Sequence, residues 1–188
     1  KISGQKKWED ADNQDGKRPA SVKVKILNGD TVVDEQNVTS ANDWKYESNP
    51  LPKYAAGQEI TYTVSEEAVP GYTSKVDGYN ITNSYTPETT TVSGSKTWED
   101  GDNQDGKRPA SITVNLLADG QKVNTQTVGE AEGWSYNFTG LPVYKDGQRI
   151  TYTVTEEAVP GYDKSITGNN IKNSHKPETV DISGEKTW

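Results

Sequence analysis

Residues 60–72 read ITYTVSEEAVPGY, and residues 150–162 read ITYTVTEEAVPGY. In the first stretch Ile60, Tyr62, Val64 and Glu66 occupy alternate positions with threonine or serine between them. That period of two places one face of a β-strand in a core and the other in solvent. Working outward, Val22, Val24 and Ile26 alternate with Lys23 and Lys25 in the same way. Asn28-Gly29 and Asp119-Gly120 read as hairpin turns. Pro19, Pro50, Pro52, Pro70 and Pro87 punctuate the pattern at strand ends. Six or seven short strands with no helical window predict an all-β chain built of antiparallel β-sandwiches.

The pair of stretches belongs to a repeat of constant period 90. SGQKKWEDADNQDGKRPAS from Ser3 returns as SGSKTWEDGDNQDGKRPAS from Ser93, Trp44 as Trp134, and NITNSY from Asn80 as NIKNSH from Asn170. Residues 1–90 and 91–180 share 49 identities without a gap. A third copy starts at Ser183 as SGEKTW and stops at Trp188. The expected organisation is one repeat over 1–87, a second over 88–177, and a linker with the first strand of a third over 178–188. The chain thus reads as a window cut from a longer array. Residues 86–91 and 176–180, rich in Pro and Thr, read as short extended joints.

Ile, Leu, Val and Phe number only 31 of 188 residues, a level at which composition alone points toward disorder. Five Trp and ten Tyr at repeating positions supply the large apolar surfaces that disordered chains lack. A net charge of −8 argues against nucleic acid, whose phosphates need a basic face. The absence of cysteine removes disulfides, thiol nucleophiles and thiolate metal sites. No apolar run approaches the length of a membrane span, and no stretch reads as a signal peptide.

Strand alternation also sets polar residues on apolar faces. Ile2, Gly4, Lys6 and Trp8 share one side of the first strand, and Trp8 belongs in a core, so Lys6 points inward beside it. Val92, Gly94, Lys96 and Trp98 repeat this, as do Ile182, Gly184, Lys186 and Trp188. Glu66 shares the face of Tyr62 and Val64 while Glu67 faces out; Asn83 lines up with Ile81 and Tyr85. Each core is therefore expected to hold one lysine, one glutamate and one asparagine. Charged groups are almost never left alone inside a protein. Two arrangements fit. One is a lysine–glutamate ion pair bridged by the asparagine amide. In the other, a dry pocket favours neutral amine and neutral acid, and the amine attacks the amide carbonyl. Ammonia leaves, and an isopeptide bond remains.

KTWED–DNQDGKRP, YTVxEEAVPGY and ITNSY, in that order over nearly the whole of both repeats, resemble the Cna B-type domain family, the B-type repeats of Gram-positive collagen adhesin-like surface proteins. The resemblance implies Ig-like sandwiches of inverse topology with a spontaneous Lys–Asn isopeptide bond between first and last strands, catalysed by a glutamate on a middle strand. Carried over, the crosslinks join Lys6 to Asn83 and Lys96 to Asn173, with Glu66 and Glu156 catalytic; Lys186 has no asparagine partner in this chain. No cofactor and no metal are implied. The implied role is a force-resistant spacer on the bacterial cell wall, extracellular and monomeric. Its partners are neighbouring repeats in the same chain, with a host extracellular-matrix ligand met through a separate head domain.

Other signals point less far. Residues 10–16, DADNQDG, suggest a calcium loop, but glycine falls at the seventh place and Ser21 stands where a bidentate glutamate is needed. An Asx-capped polar turn fits better. Lys17-Arg18 and Lys107-Arg108, too short for basic patches, are expected to cap strand ends or pair with that acidic loop. A ligand-binding adhesin module is the alternative function, using loops that differ between repeats, such as 39–43 against 129–133. The one histidine, His175, stands where the first repeat has Tyr85, so no duplicated hydrolytic site can use it.

Overall fold

The computed structural model describes all 188 residues. In the first repeat the strands are β1 (Ser3–Glu9), β2 (Ser21–Asn28), β3 (Thr31–Thr39), β4 (Lys45–Glu47), β5 (Tyr54–Ala55), β6 (Gln58–Glu59), β7 (Tyr62–Glu66), β8 (Thr73–Asp77) and β9 (Asn80–Ser84). One sheet runs β4-β1-β9-β8, the other β3-β2-β7, and β5 and β6 form a separate two-residue hairpin. The sheets enclose Val22, Val24, Ile26, Val38, Tyr46, Tyr62, Val64 and Ile81. Trp8 is only partly buried and packs against the edge of this cluster.

The second repeat follows the same plan: β10 (Thr89–Glu99), β11 (Ser111–Ala118), β12 (Gln121–Gly129), β13 (Ser135–Pro142), β14 (Tyr144–Lys145), β15 (Gln148–Arg149), β16 (Tyr152–Glu156), β17 (Asp163–Thr167) and β18 (Asn170–Ser174). Its sheets run β13-β10-β18-β17 and β12-β11-β16, around a core that includes Tyr136 and Phe138.

Within the two repeats three features depart from the sequence expectation. The first and last strands pair in parallel, β1 with β9 and β10 with β18, because a whole repeat separates them and no hairpin dictates direction. The first hairpin turns at Gly29-Asp30, since Asn28 is already paired with Thr31; the second turns at Asp119-Gly120 as expected. The joint over 86–91 is shorter than read: β10 begins at Thr89, where Thr89 and Thr90 pair with Pro142 and Leu141.

Residues 175–188 carry no regular structure, and Ile182 and Trp188 are exposed. The strand expected within 178–188 does not form, since a strand needs paired neighbours for its backbone groups; before it, the His175 N–H donates to the Glu99 carbonyl and the Glu178 N–H to Asp105. No helix is long and apolar enough to cross a membrane.

Gly4 is required by close approach. A Cβ there would collide with the Tyr79 carbonyl and the Tyr46 ring, whose hydroxyl donates to that same carbonyl. Gly94, Tyr136 and Asn169 repeat the arrangement.

Candidate functional site

Alternation along β1 turns Gly4, Lys6 and Trp8 inward and Ser3, Gln5, Lys7 and Glu9 outward. Lys6 is 2% exposed and Asn83, on β9, 0%. The parallel register sets Lys6 opposite Ile81 and Trp8 opposite Asn83, making Lys6 and Asn83 diagonal neighbours on one face, within reach of a long side chain. Glu66 comes from the other sheet, at the end of β7 opposite Val24. Glu67 faces solvent and pairs with Lys25 at 3.4 Å.

The carboxylate of Glu66 bridges the other two groups. Its Oε2 lies 3.0 Å from Lys6 Nζ, and its Oε1 accepts a hydrogen bond from Asn83 Nδ2 at 2.7 Å. The ammonium and Oε2 meet at ion-pair distance but off the hydrogen-bond direction. Both, like Asn83 Oδ1, lack an aligned partner. Glu66 meets the donor end of the Asn83 amide rather than its oxygen.

Burial pushes the Lys6 amine below its ordinary range, against the opposing pull of Glu66. In the second repeat Lys96 Nζ stands 3.7 Å from Glu156 Oε2 and donates to the Thr97 carbonyl at 3.1 Å. Desolvation holds Lys96 down to about 8. Both Glu156 carboxylate oxygens and both Asn173 amide atoms are buried without a partner. An unsatisfied buried polar group costs about 1–3 kcal/mol, so each triad is a costly arrangement while its members stay separate.

The loop after β1 is an Asx-capped turn. Asp10 Oδ1 accepts from the Asn13 N–H, and Asn13 Oδ1 accepts from the Arg18 N–H, each at 3.0 Å. Arg18 pairs with Asp10, as expected of a base beside the acidic loop. The sequence reading missed Tyr72, whose hydroxyl donates to Asp10 at 2.7 Å across 62 residues; only its place in the repeated VPGY pointed to it. The loops over 39–43 and 129–133 contain the short 3-10 turns Ser40–Asn42 and Glu130–Glu132. No group of three or more His, Cys, Asp or Glu is close enough to hold a metal ion.

Comparisons with known proteins agree with this architecture. The model of the Cna protein B-type domain matches twice, over residues 2–84 and 92–174. A collagen adhesin of Staphylococcus aureus is 45% identical over the entire chain, which spans 16% of that protein's length. The crystal structure of two B repeat units of the S. aureus collagen-binding protein superposes with a TM-score of 0.83 at 42% identity, covering 93% of this chain and 49% of that one. The chain belongs to the Cna protein B-type domain family, whose members are structural adhesin domains rather than enzymes.

Proposed function

We propose that the two repeats are spacer units in the stalk of a cell-wall-anchored adhesin of a Gram-positive bacterium, each closed by an autocatalytic isopeptide bond. The pairs are Lys6 with Asn83 and Lys96 with Asn173. The observation that carries this reading is the buried triad in which Glu66 contacts nucleophile and leaving group through different oxygens. Neutral Lys6 Nζ adds to Asn83 Cγ. Glu66 takes a proton from the attacking nitrogen and hands that proton to the departing amide nitrogen, which it already contacts. The Nζ–Cγ bond forms, the Cγ–Nδ2 bond breaks, ammonia leaves, and the glutamate ends as it began. Water is excluded by burial alone.

The bond would join residues 77 apart. As a loop closure it removes about 4–5 kcal/mol of unfolded-chain entropy, which helps a domain with a small core and no disulfide. Because β1 and β9 are adjacent and parallel, tension entering one strand passes through the crosslink into the other, and the intervening loop is shielded. A stalk of such units holds a ligand-binding head, of the kind a collagen adhesin implies, away from the cell surface.

Intact mass tests the chemistry. The chain is expected to weigh two ammonia molecules less than its sequence, and digestion should yield Lys6–Asn83 and Lys96–Asn173 branched peptides. A mass equal to the sequence mass overturns the reading.

A further inference from the structure

The run DNQDGKRP recurs unchanged in both repeats, yet none of its residues enters the triad. It folds around a carboxylate: the Asp10 side chain is 0% exposed. Asp10 accepts from Arg18 Nε at 3.1 Å, Arg18 Nη2 at 2.7 Å, Tyr72 Oη at 2.7 Å and the Asn13 N–H at 3.0 Å. Arg108, Asp100, Tyr162 and Asn103 repeat every contact. The same arginine also reaches the aromatic ring that covers the lysine. Arg18 Cζ lies 5.3 Å and Lys6 Nζ 4.4 Å from the Trp8 ring centroid. Around Trp98 the corresponding distances are 5.3 Å for Arg108 and 3.7 Å for Lys96.

We propose that Arg18, and Arg108 in the second repeat, is a positioning residue for crosslink formation, neutralising a buried aspartate so that the neighbouring lysine can shed its proton. This rests on the crosslink reading above. The charged groups facing Lys6 are Glu66 from β7 and Asp10 and Arg18 from the loop after β1. Those facing Lys96 are Glu156, Asp100 and Arg108, with the Lys164 ammonium 2.8 Å from the Glu156 carbonyl oxygen. With Arg18 in place the Asp10–Arg18 pair contributes no net charge beside Lys6. Without it, a second buried carboxylate joins Glu66 in holding Lys6 as an ammonium, which cannot attack. The directions agree: Asp10 pulls the Lys6 amine up, and Arg108 pushes Lys96 down.

The test is a mass-spectrometric time course on the purified full chain carrying Arg18→Gln, with the untouched second repeat as internal control. At neutral pH the first crosslink should form about tenfold more slowly than in the wild type, because less of Lys6 is the neutral amine. The second should be complete. Raising the pH should abolish the lag, and adding Asp10→Asn should abolish it at neutral pH. Arg18→Lys, which keeps the charge, should crosslink as the wild type does. A first crosslink as fast as wild type overturns the proposal. So does a lag that neither pH nor Asp10→Asn relieves, or one as large in Arg18→Lys, since each marks a purely structural arginine. If the wild type itself carries no crosslink, the reading beneath the proposal fails instead.

Discussion

The two repeats set the same three side chains in the same registers, yet the triads close differently. In the first, Glu66 holds both partners, at 3.0 Å and 2.7 Å. In the second, Lys96 stands 3.7 Å from Glu156 and the Asn173 amide hydrogen-bonds to neither. The surroundings differ as well. Lys164 on β17 is opposite Asn173, where β8 places Ser74 opposite Asn83. Ser48 is buried in the first repeat where Phe138 is buried in the second. The triad is the same in both copies, and so are the tryptophan, aspartate and arginine beside it, whereas the residues at Ser74 and Lys164 and at Ser48 and Phe138 differ. Strand register decides whether the chemistry is possible, and the neighbours set its ease.

The largest break in this comparison is expected from Glu66→Gln and Glu156→Gln made separately. Each should abolish the crosslink in its own repeat only, because an amide cannot relay protons as a carboxyl does. The affected repeat should lose about 4–5 kcal/mol, read as an earlier unfolding transition while the other repeat melts unchanged. Under single-molecule pulling the variant repeat should extend to its full contour length, whereas the wild type extends little. Equal extension of variant and wild type would remove the mechanical argument.

Phe138→Ala is the next largest. The ring is 1% exposed and packs against Tyr136 with centroids 5.8 Å apart, so deleting it leaves a cavity worth about 3–5 kcal/mol. In the first repeat Ser48 occupies the equivalent place, accepting from the Ile2 N–H and donating to the Asn49 carbonyl. Ser48→Ala, which removes both hydrogen bonds, should therefore cost only about 1–2 kcal/mol. Denaturant midpoints of the two variants check the ranking, and equal losses would show that the two cores are not filled differently.

Much of this was legible in the sequence because a strand's period of two is strict. Alternation with Trp8, Val64 and Ile81 sets Lys6, Glu66 and Asn83 on inward faces, and the structure buries all three side chains. Other features depend on contacts that no local pattern encodes. The parallel pairing of β1 with β9 unites strands from opposite ends of a repeat. Tyr72 reaches Asp10 only after the fold has formed. The joint was read as longer than it is because proline and threonine suit an extended linker and a strand alike. The shift of the first turn to Gly29-Asp30 reflects competition between two adjacent turn-formers, Asn28-Gly29 and Gly29-Asp30, decided by the pairing of Asn28 with Thr31.

The smallest expected effect lies where each repeat hands the chain onward. Asp15 accepts from Tyr85 Oη at 2.7 Å and from the Glu88 N–H at 2.9 Å. Asp105 meets His175 Nε2 at 2.9 Å and accepts from the Glu178 N–H at 2.8 Å. Asp105 raises the His175 pKa above its ordinary value, helped by the Gly161 carbonyl, with Glu178 adding to the pull and the Tyr162 ring alongside. The Glu178 N–H and His175 hold the Asp105 carboxyl below its ordinary range, with Lys107 adding to the pull. A histidine whose folded pKa is raised contributes stability that is complete below its unfolded pKa and is lost as pH rises through the folded one. The segment after the second repeat should thus be held more firmly in mild acid. Tyr85, pushed up to about 12 by Asp15, makes the first joint indifferent to pH across the same range. NMR titration of the His175 ring should give a pKa that falls in Asp105→Asn, with Glu178 amide protection following the same curve. His175→Tyr should flatten that curve to match Glu88. An unshifted histidine, or Glu178 protection that ignores pH, would mean the two joints are held alike despite their different side chains.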